Sequence, residues 1–587
     1  MKNQEISKIF NEIADILEIK SDNPFRIRAY RRAALNIEGL AKNIDDMPDD
    51  ELVKIPGVGK DLAAKVAEYI KTGKIAVYEE LKQEIPPIVL TLETVPGLGP
   101  KTAMLLYEKL RIDSLDELAR LAEEHKLAGL PGIKAKTEEN ILRGIGMLRR
   151  GRERQPLGKV LPLALNIVDQ LKTKAPIARL DIAGSIRRWK DTIKDIDILA
   201  TSDNPEEVMH VFVHLPQVKN ILMHGSTKSS VVISEGLQVD LRVVEKDSYG
   251  AALGYFTGGK EHNIRLREMA VKKGLTINEY GVFRVRDNMK LGGEDEKDVY
   301  EILGMQFVPP ELREDRGEIE AAIAHRLPEL IVAGDIKGDL HVHSKWSDGS
   351  HTFRQLVDAA MECDYSYFAL TDHSQGLGVA HGLTVDRLLE QVKEVDSLNK
   401  KLKKFRILKG TEVDIRSDGS LDFPDNILHE LDIVVASIHS GFKQTKEQLT
   451  SRMVAAMQNP YVSIIGHPTG RLIGEREAYE IDMEKILKVA QETGTALEIN
   501  AYPLRLDLND IYAKKARDMG IPIVICTDTH VSSQFNFMSY GVSIARRSWL
   551  EKNDVANTRQ VNQLLKILKP FGKRQPSEVT NRKTTDK

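Results

Sequence analysis

The spacing of apolar residues changes twice along the chain. Residues 1–150 carry an almost continuous helical repeat from the amphipathic start MKNQEISKIF onward, broken by short loops that Pro and Gly mark. From about residue 158 to 310 the pattern is mixed: ARLDIAGS, DIDILA and LQVDLRVV read as strands between helical segments. EDRGEIEAAIAHRLPEL then reads as a helical connector. Beyond it, short apolar strands alternate with helices to about residue 565, the signature of a parallel β/α architecture. From Lys569, KPFGKRQPSEVTNRKTTDK is polar and basic and predicts a flexible tail.

Composition narrows this only a little. At 587 residues the chain is too long for one ordinary core, and the size prior is roughly three to five domains. The apolar fraction of 41% and the charged fraction of 29% suit a soluble globular protein. No apolar run reaches the length of a membrane span, and the first residues lack the pattern of a signal peptide, so no membrane partner is expected. The two cysteines, Cys363 and Cys526, are far apart in sequence, which argues against a disulfide scaffold and fits a reducing cytoplasm. The net charge of −3 averages over the whole chain and leaves basic faces for nucleic acid open.

The helical region repeats itself. IPGVGKDLAAKVAEYI (55–70) and VPGLGPKTAMLLYEKL (95–110) share apolar-Pro-Gly-x-Gly followed by an amphipathic helix. Gly57, Gly59, Gly97 and Gly99 allow a close backbone approach, the amides opening the next helix suit a phosphate, and Lys60 and Lys101 add positive charge. The motif resembles the helix-hairpin-helix, which grips DNA backbone without reading sequence. One copy alone would read as a tight interhelical turn; two with basic flanks favour DNA. In LPGIKAKTEENI (130–141) Lys134 stands where the second glycine belongs, so that turn is assigned a structural role first.

In AGSIRRWKDTIKDIDILA (183–200), Gly184 and Ser185 end a strand, so their amides and the Ser185 hydroxyl could hold phosphate, with Arg187 and Arg188 nearby. Asp195 and Asp197, at i and i+2 on the next strand, face the same way. Asp240 lies in the apolar strand LQVDLRVV. An acidic edge on a solvated strand is the plain alternative, but three carboxylates on neighbouring strands can hold two Mg²⁺ ions for phosphoryl transfer.

A second set of ligands begins at GDLHVHSKWSDGSH (338–351), where His341 and His343 share a strand face and a turn can bring Asp348 back toward them. Downstream strands end in further candidates: YFALTDH gives Asp372 and His373, ILKGTEV gives Glu412, DIVVASIH gives His439, VSIIGH gives His467, and IPIVICTDTH gives Asp528 and His530. ALEIN is ligand-poor. One strand-end histidine is ordinarily a satisfied structural residue; a whole series points to a metal site at the strand C-terminal ends.

Two family resemblances follow. G-S-x-R-R…D-x-D with a later strand Asp resembles the nucleotidyltransferase superfamily. YFTGGKEHNIRLREMAVKKGLTINEYGVF (255–283), the loop GSTK (225–228) and SDNPFRIRAYRRAAL narrow the likeness to family X DNA polymerases over most of residues 1–315. The resemblance implies that Asp195 and Asp197 bind both metals, while Asp240 joins the catalytic metal and favours deprotonation of the primer 3′-hydroxyl. It gives Gly184, Ser185, Arg188, Tyr255, Phe256, Gly258 and Asn263 to the nucleotide, with Ser185 and Arg188 at the triphosphate, Tyr255 and Phe256 at the sugar pocket and Asn263 at the base. Arg267 falls to the template and Lys228 to backbone phosphate. Each aromatic would otherwise read as core, and Lys228 as an exposed strand end. Lys65 aligns with the family's Schiff-base lysine, for which a phosphate contact is an equal alternative. Three departures bear on these roles: Lys194 replaces a glycine before the first metal Asp, Gly259 replaces a serine after Y-F-T-G, and Asp61 stands where a basic residue is usual.

The order H-x-H, D, H, E, H, H, D-x-H is similar to the PHP family, whose barrel holds a trinuclear metal cluster. His341, His343, Asp348, His373, Glu412, His439, His467, Asp528 and His530 fill every position. Mixed imidazole and carboxylate donors suit Mn²⁺, Zn²⁺ or Fe²⁺, whereas the polymerase site takes Mg²⁺ or Mn²⁺. His351 reads as surface, and His381, in a Gly-rich loop at the barrel mouth, is a candidate contact for substrate phosphate.

The fold expected is multidomain: N-terminal all-α helix-hairpin-helix domains, an α+β nucleotidyltransferase palm and thumb, and a C-terminal α/β PHP domain, a distorted (β/α)7 barrel. The expected bounds are a lyase-like domain at 1–82, a fingers-type DNA-binding domain at 83–152, the palm at 153–253 and a nucleotide-selection subdomain at 254–314. A linker at 315–336, the PHP domain at 337–568 and a tail at 569–587 complete the chain. The resemblance implies a monomeric, cytoplasmic repair polymerase that acts on gapped or primer-template DNA with deoxynucleoside triphosphates. Its barrel would add 3′-5′ exonuclease and abasic-site endonuclease or 3′-phosphodiesterase activity. Two alternatives stay open: a barrel that is a small-molecule phosphatase, and a polymerase-like half that only binds DNA.

Overall fold

The computed structural model describes residues 2–20, 22–38, 44–55, 57–92, 95, 98–133, 137–138, 141–142, 145 and 154–568. Gly97, Lys134 and the tail from Lys569 lie outside these. The chain divides into two compact units: Met1–Gln155 with Val160–Arg188 and Thr192–Phe307, and Pro156–Lys159 with Trp189–Asp191 and Val308–Lys587.

The first unit begins with two helical cores. Helices Lys2–Ile19, Pro24–Glu38 and Lys60–Thr72 bury Ile6, Phe10, Tyr30, Leu62 and Val66 together. Helices Pro100–Leu110 and Leu115–Glu123 build the next around Leu98, Ala103, Leu106 and Leu118. In each repeat the residue between the two glycine positions, Val58 or Leu98, is buried. The backbone repeats with it. Val58 N donates to Ile55 O and Leu98 N to Val95 O, both at 2.9 Å, while Ala63 N and Ala103 N donate to Gly59 O and Gly99 O at 2.9 and 3.0 Å. Gly59 and Gly99 each serve as the N-cap of the helix that follows.

Five strands form the palm sheet: β1 (Arg179–Ile182), β2 (Asp195–Thr201), β3 (Val218–His224), β4 (Lys228–Ile233) and β5 (Gln238–Val243). Their order is β1-β2-β5-β4-β3, and only β2 and β5 run parallel. That parallel pair sets Asp197 directly opposite Asp240. Helices Tyr249–Thr257, Lys260–Lys272 and Glu296–Ile302 then pack with an antiparallel sheet of β6 (Leu275–Asn278), β7 (Gly281–Arg284) and β8 (Met289–Gly292).

The second unit is a seven-stranded parallel barrel. In order these are β9 (Gly338–Val342), β10 (Tyr367–Leu370), β11 (Arg406–Asp414), β12 (Ile433–Ser437), β13 (Ile464–Ile465), β14 (Ala496–Asn500) and β15 (Ile523–Cys526). Every strand contributes to one apolar cluster, which Leu564 and Leu568 at the C-terminal helix also join. The connector is less helical than its periodicity suggests. Only Glu318–Ile323 forms a helix, because His325 takes a positive φ of 53° and Pro328 cannot continue it.

The seam between β9 and β15 closes the barrel nearly fully. Beyond the strand ends, His343 N donates to Thr529 O at 2.8 Å and Thr529 N to His341 O at 3.2 Å. Lower down, the buried amide of Asn557 fills the gap: its Nδ2 donates to Gly338 O at 2.8 Å and Ile525 O at 2.7 Å, and its Oδ1 accepts from Ile525 N at 3.1 Å. Truncation of Asn557 strands three buried backbone groups. Asn557→Ala is therefore expected to destabilise the barrel by about 3 kcal/mol, read as a fall in its thermal unfolding midpoint; an unchanged midpoint would remove Asn557 from the closure.

Candidate functional site

The palm carboxylates meet because of strand register. Neighbouring parallel strands lie about 4.8 Å apart, so Asp197 and Asp240 sit side by side, with Asp195 two residues away on the same face. Burial, and then the charges of Asp195 and Asp240, push Asp197 up to about 7. Burial and Asp240 raise Asp195 as well, against the nearby positive charges of Lys194 and Arg154. Such crowding is what a divalent cation relieves, and all-oxygen donors fit Mg²⁺ or Mn²⁺. Two residues that motif reading passed over orient Asp240: Gln238 Nε2 donates to both its oxygens at 3.1 and 3.0 Å, and Ser230 Oγ donates to Oδ1.

Gly184 is required by space. Its φ is +61°, and a Cβ there would lie 2.1 Å from Oδ2 of Asp197. The next residue, Ser185, has a buried hydroxyl without a hydrogen-bond partner. The two arginines divide: Arg187 pairs bidentately with Glu296 at 2.8 Å and donates to Thr257 Oγ1 at 2.8 Å, whereas Arg188 donates to the Thr257 carbonyl. Thus Arg187 ties the phosphate turn to the Y-F-T-G helix, and Arg188 lies against Gly258.

Around that turn, the rings of Tyr255 and Phe256 meet edge to face at 5.3 Å, and the Arg242 guanidinium lies 4.7 Å above Phe256. Ala183, Asp197, Asp240, Arg242 and Phe256 line one small cleft. A second, open pocket is bounded by Tyr255, Asn263, Leu266, Arg267 and Tyr300. Asn263 donates to the Tyr255 carbonyl at 2.8 Å, and Arg267 is exposed with its Nε 3.3 Å from Asn263 O. Lys228 opens β4 and faces Arg242 in register. In the hairpins Gly57, Gly59, Lys60, Gly99 and Lys101 are exposed. Lys65 pairs with Asp61 at 2.5 Å, so its amine would have to leave that carboxylate before attacking an aldehyde. The third turn is braced by buried Glu138, which accepts from Leu127 N and Ala128 N at 2.9 and 2.8 Å.

In the barrel the nine candidate ligands converge. Three sets of donor atoms lie close enough to share an ion: His343, Asp348, His373 and His530; His341, His343 and Asp528; and His373, Glu412 and His439. Glu412 sits at the centre. Its Oε1 is 3.0 Å from His467 Nε2 and 3.2 Å from His439 Nε2; its Oε2 is 2.8 Å from His373 Nδ1, 3.4 Å from His341 Nε2 and 3.7 Å from His343 Nε2. Yet Glu412 Oε2, His373 Nδ1, His341 Nε2 and both nitrogens of His343 are buried without a hydrogen bond. Donors that approach without bonding to each other are aimed at a shared third point, and a mixed imidazole and carboxylate set fits a transition metal. His467 and Asp528 reach it from left-handed backbone, at φ of 28° and 56°.

Charge follows the same pattern. Burial lowers His343 to about 3, with His530 and His373 adding to it. For His439 and His530 burial also opposes the proton, but Glu412 and Asp414 raise the first, and Asp348 and Asp528 the second, each to about 9. Glu412 and Asp528 are held well below the usual carboxylate range by the histidines around them, despite their burial.

The strand ALEIN is not inert. Glu498 Oε1 takes the other face of His341 at Nδ1, 2.7 Å away, and its Oε2 accepts from His467 N at 2.5 Å and from Asn500 Nδ2 at 3.2 Å. A carboxylate behind a ligating histidine fixes its tautomer and raises its basicity. Asp414 stands behind His439 at 3.3 Å in the same way. Asp372, by contrast, is saturated by Ser344, Ser347 and Gln391 and holds the turn that carries Asp348. His351 touches Ser532, and His381 is exposed with its carbonyl bound by Arg387.

Family models match four parts of the chain: a helix-hairpin-helix domain over residues 1–75, a SAM-like helix-hairpin-helix tandem over 89–146, a DNA polymerase beta thumb over 252–314 and a PHP domain over 339–502. A DNA polymerase/3′-5′ exonuclease PolX from Bacillus subtilis strain 168 is 40% identical over 571 residues, covering 97% of this chain and 100% of its own length. A DNA polymerase lambda from Rattus norvegicus is 24% identical over 342 residues, 53% of this chain and 56% of its own. A probable phosphatase from Thermoanaerobacter sp. strain X514 is 31% identical over 234 residues, 38% of this chain and 89% of its own.

Two outcomes are expected of the barrel site. In the metal-free protein His439 and His530 lie near 9 against an ordinary 6.5, so their paired protons stabilise the fold fully below about 6.5, and that stability fades as pH rises through about 9. Metal must displace those protons, so Mn²⁺ affinity measured by calorimetry should rise between pH 6.5 and 9, with proton release; a flat profile would contradict it. Glu498→Gln should weaken metal binding by roughly 10–100-fold.

Proposed function

The chain belongs to the family X DNA polymerases that carry helix-hairpin-helix, thumb and PHP domains, and from that membership we infer a DNA polymerase and a 3′-5′ exonuclease in one polypeptide. Its substrates are DNA and nucleotides, and both activities call on divalent metal. We further propose that it fills short gaps during base excision repair as a cytoplasmic monomer, the barrel trimming 3′ ends and cleaving abasic sites or 3′-phosphodiesters. The observation that carries this reading is the coexistence of two separate donor sets, the palm carboxylates and the Glu412 cluster. Among the described residues, no helix is long and apolar enough to cross a membrane.

In the palm, Asp195, Asp197 and Asp240 would hold Mg²⁺ or Mn²⁺, which when bound supplies charge to the attacking and leaving oxygens. Asp240, oriented by Gln238 and Ser230, would join the catalytic ion and favour loss of the primer 3′-hydroxyl proton. Gly184 clears space beside Asp197, and the unpaired Ser185 hydroxyl and Arg188 would receive the triphosphate. Tyr255, Phe256 and Gly258 would border the sugar, Asn263 the base and Arg267 the template. The hairpin amides with Lys60 and Lys101, and Lys228 on the palm, would bind backbone phosphate.

In the barrel, His341, His343, Asp348, His373, Glu412, His439, His467, Asp528 and His530 would hold Mn²⁺, Zn²⁺ or Fe²⁺, which when bound activates water toward phosphorus. Glu498 and Asp414 orient their histidines; His341, His343, His373, Glu412 and His467 are buried, while Asp348 and His530 stay open to solvent. The probable phosphatases related to this half favour one second reading, a barrel acting on small phosphomonoesters.

A gapped-DNA assay with wild type, Asp240→Ala and His341→Ala separates these readings. Asp240→Ala should lower extension by more than roughly a hundredfold and spare degradation, and His341→Ala should do the reverse. Loss of both activities in either folded variant would refute two independent sites. Phosphate release from histidinol phosphate without DNA cleavage would favour the phosphatase.

A further inference from the structure

Arg505 places a cation where a metal-binding site would ordinarily exclude one. Its Nε lies 3.6 Å from Oδ2 of Asp528, beyond hydrogen-bond reach, and its Nη1 is buried with no hydrogen-bond partner. The oxygen it approaches is already engaged, since Asn500 Nδ2 donates to Oδ2 of Asp528 at 3.2 Å. The two charges attract as an ion pair, but no hydrogen bond joins them and Nη1 is left as an unsatisfied donor, an unfavourable state for a buried group.

Several bonds nevertheless hold Arg505 in place. Its N donates to Tyr502 O at 2.7 Å, and its O accepts from Arg471 Nε at 2.8 Å. Arg471 Nη2 also donates to Leu506 O at 2.5 Å, and Asp507 Oδ2 accepts from Thr469 N and Gly470 N, each at 2.9 Å. The loop after β14 is thus strapped to the loop that follows the ligand His467. The backbone of Arg505 is fixed in this way, and its guanidinium, with an unused N–H beside the cluster of His341, His343 and Asp528, is matched by an oxygen acceptor from outside the chain.

We propose that Arg505 binds a non-bridging oxygen of the phosphodiester that the barrel hydrolyses, a role that rests on reading the barrel as the 3′-5′ exonuclease. In that step the oxygen of water bonds to phosphorus, the P–O3′ bond of the penultimate nucleotide breaks, and a proton from the water ends on the departing 3′ oxygen. Negative charge grows on the non-bridging oxygens as this happens. A guanidinium already in position stabilises it without rearrangement. Arg505 would then be a catalytic residue, in contrast to Glu498, which positions His341.

The test uses the full chain as wild type, Arg505→Ala and Arg505→Lys, with three readouts: Mn²⁺ content, exonuclease kinetics on a 5′-labelled single-stranded oligonucleotide, and inhibition by thymidine 5′-monophosphate. Arg505→Ala should keep its metal, lose about a hundredfold in kcat/KM, weaken inhibition by the monophosphate and regain rate with added guanidinium ion. Arg505→Lys should fall between, since an ammonium is a point charge without the planar fork. Metal lost from both variants would show that Arg505 only supports Asp528. An alanine variant within about twofold of wild type in kcat/KM and in monophosphate inhibition would equally overturn the proposal. Exonuclease that survives in His341→Ala would remove the premise instead, and the proposal with it.

Discussion

The second unit depends on one buried carboxylate. Glu412 is 1% exposed, five imidazoles stand within 3.7 Å of its two oxygens, and several of these atoms make no hydrogen bond at all. In a medium of low dielectric such a group is tolerable only with compensating charge, supplied by protons on histidines such as His439 and His341 or by metal. The five histidines come from the ends of four strands, β9, β10, β12 and β13, so the cluster exists only if the barrel assembles. Closure in turn rests on the seam between β9 and β15, bridged by Asn557 at one end and by the backbone of His341, His343 and Thr529 at the other. Chemistry and architecture are one constraint here.

The palm solves a related problem with less enclosure. Parallel pairing of β2 and β5 brings Asp197 and Asp240 into register, and burial with mutual repulsion raises Asp197 and Asp195. Among the described residues no histidine shares the load; on the proposed reading an incoming nucleotide would bring phosphate oxygens, which Mg²⁺ prefers alongside one or two carboxylates. The barrel, by contrast, carries its donors ready-made, with Glu498 and Asp414 behind the histidines. This difference suits a polymerase site that must accept a charged cofactor–substrate pair and a hydrolytic site that must stay loaded.

Much of this was legible in the sequence because the chemistry falls on regular spacing. Period-two carboxylates at Asp195 and Asp197 and strand-end histidines from His341 to His530 announce themselves, and so do the paired Pro-Gly-x-Gly turns. What stayed hidden depends on contacts between segments distant in sequence. Glu498 sits in an apolar strand and gains meaning only when His341, 157 residues earlier, comes to 2.7 Å. Ser230 and Gln238 look like ordinary strand polar residues until register sets them against Asp240. Asn557 and Arg505 belong to no motif and gain meaning only when the fold sets one at the β9–β15 seam and the other beside Asp528. The connector helix is shorter than its spacing predicts, because the amphipathic pattern in EIEAAIAHRL continues past the point where His325 and Pro328 end the helix.

The central claim is that Glu412 is the hub of a multi-ion cluster distinct from the palm site. Diffraction from crystals grown with Mn²⁺, recorded at the manganese absorption edge, tests it most directly. The account predicts anomalous peaks inside the barrel within roughly 2.0–2.3 Å of Glu412 oxygens and the facing imidazole nitrogens. A separate peak should appear at Asp195 and Asp197 when nucleotide is added. A barrel whose ions leave both Glu412 oxygens unligated, or one that takes up no Mn²⁺, Zn²⁺ or Fe²⁺ at all, would contradict it.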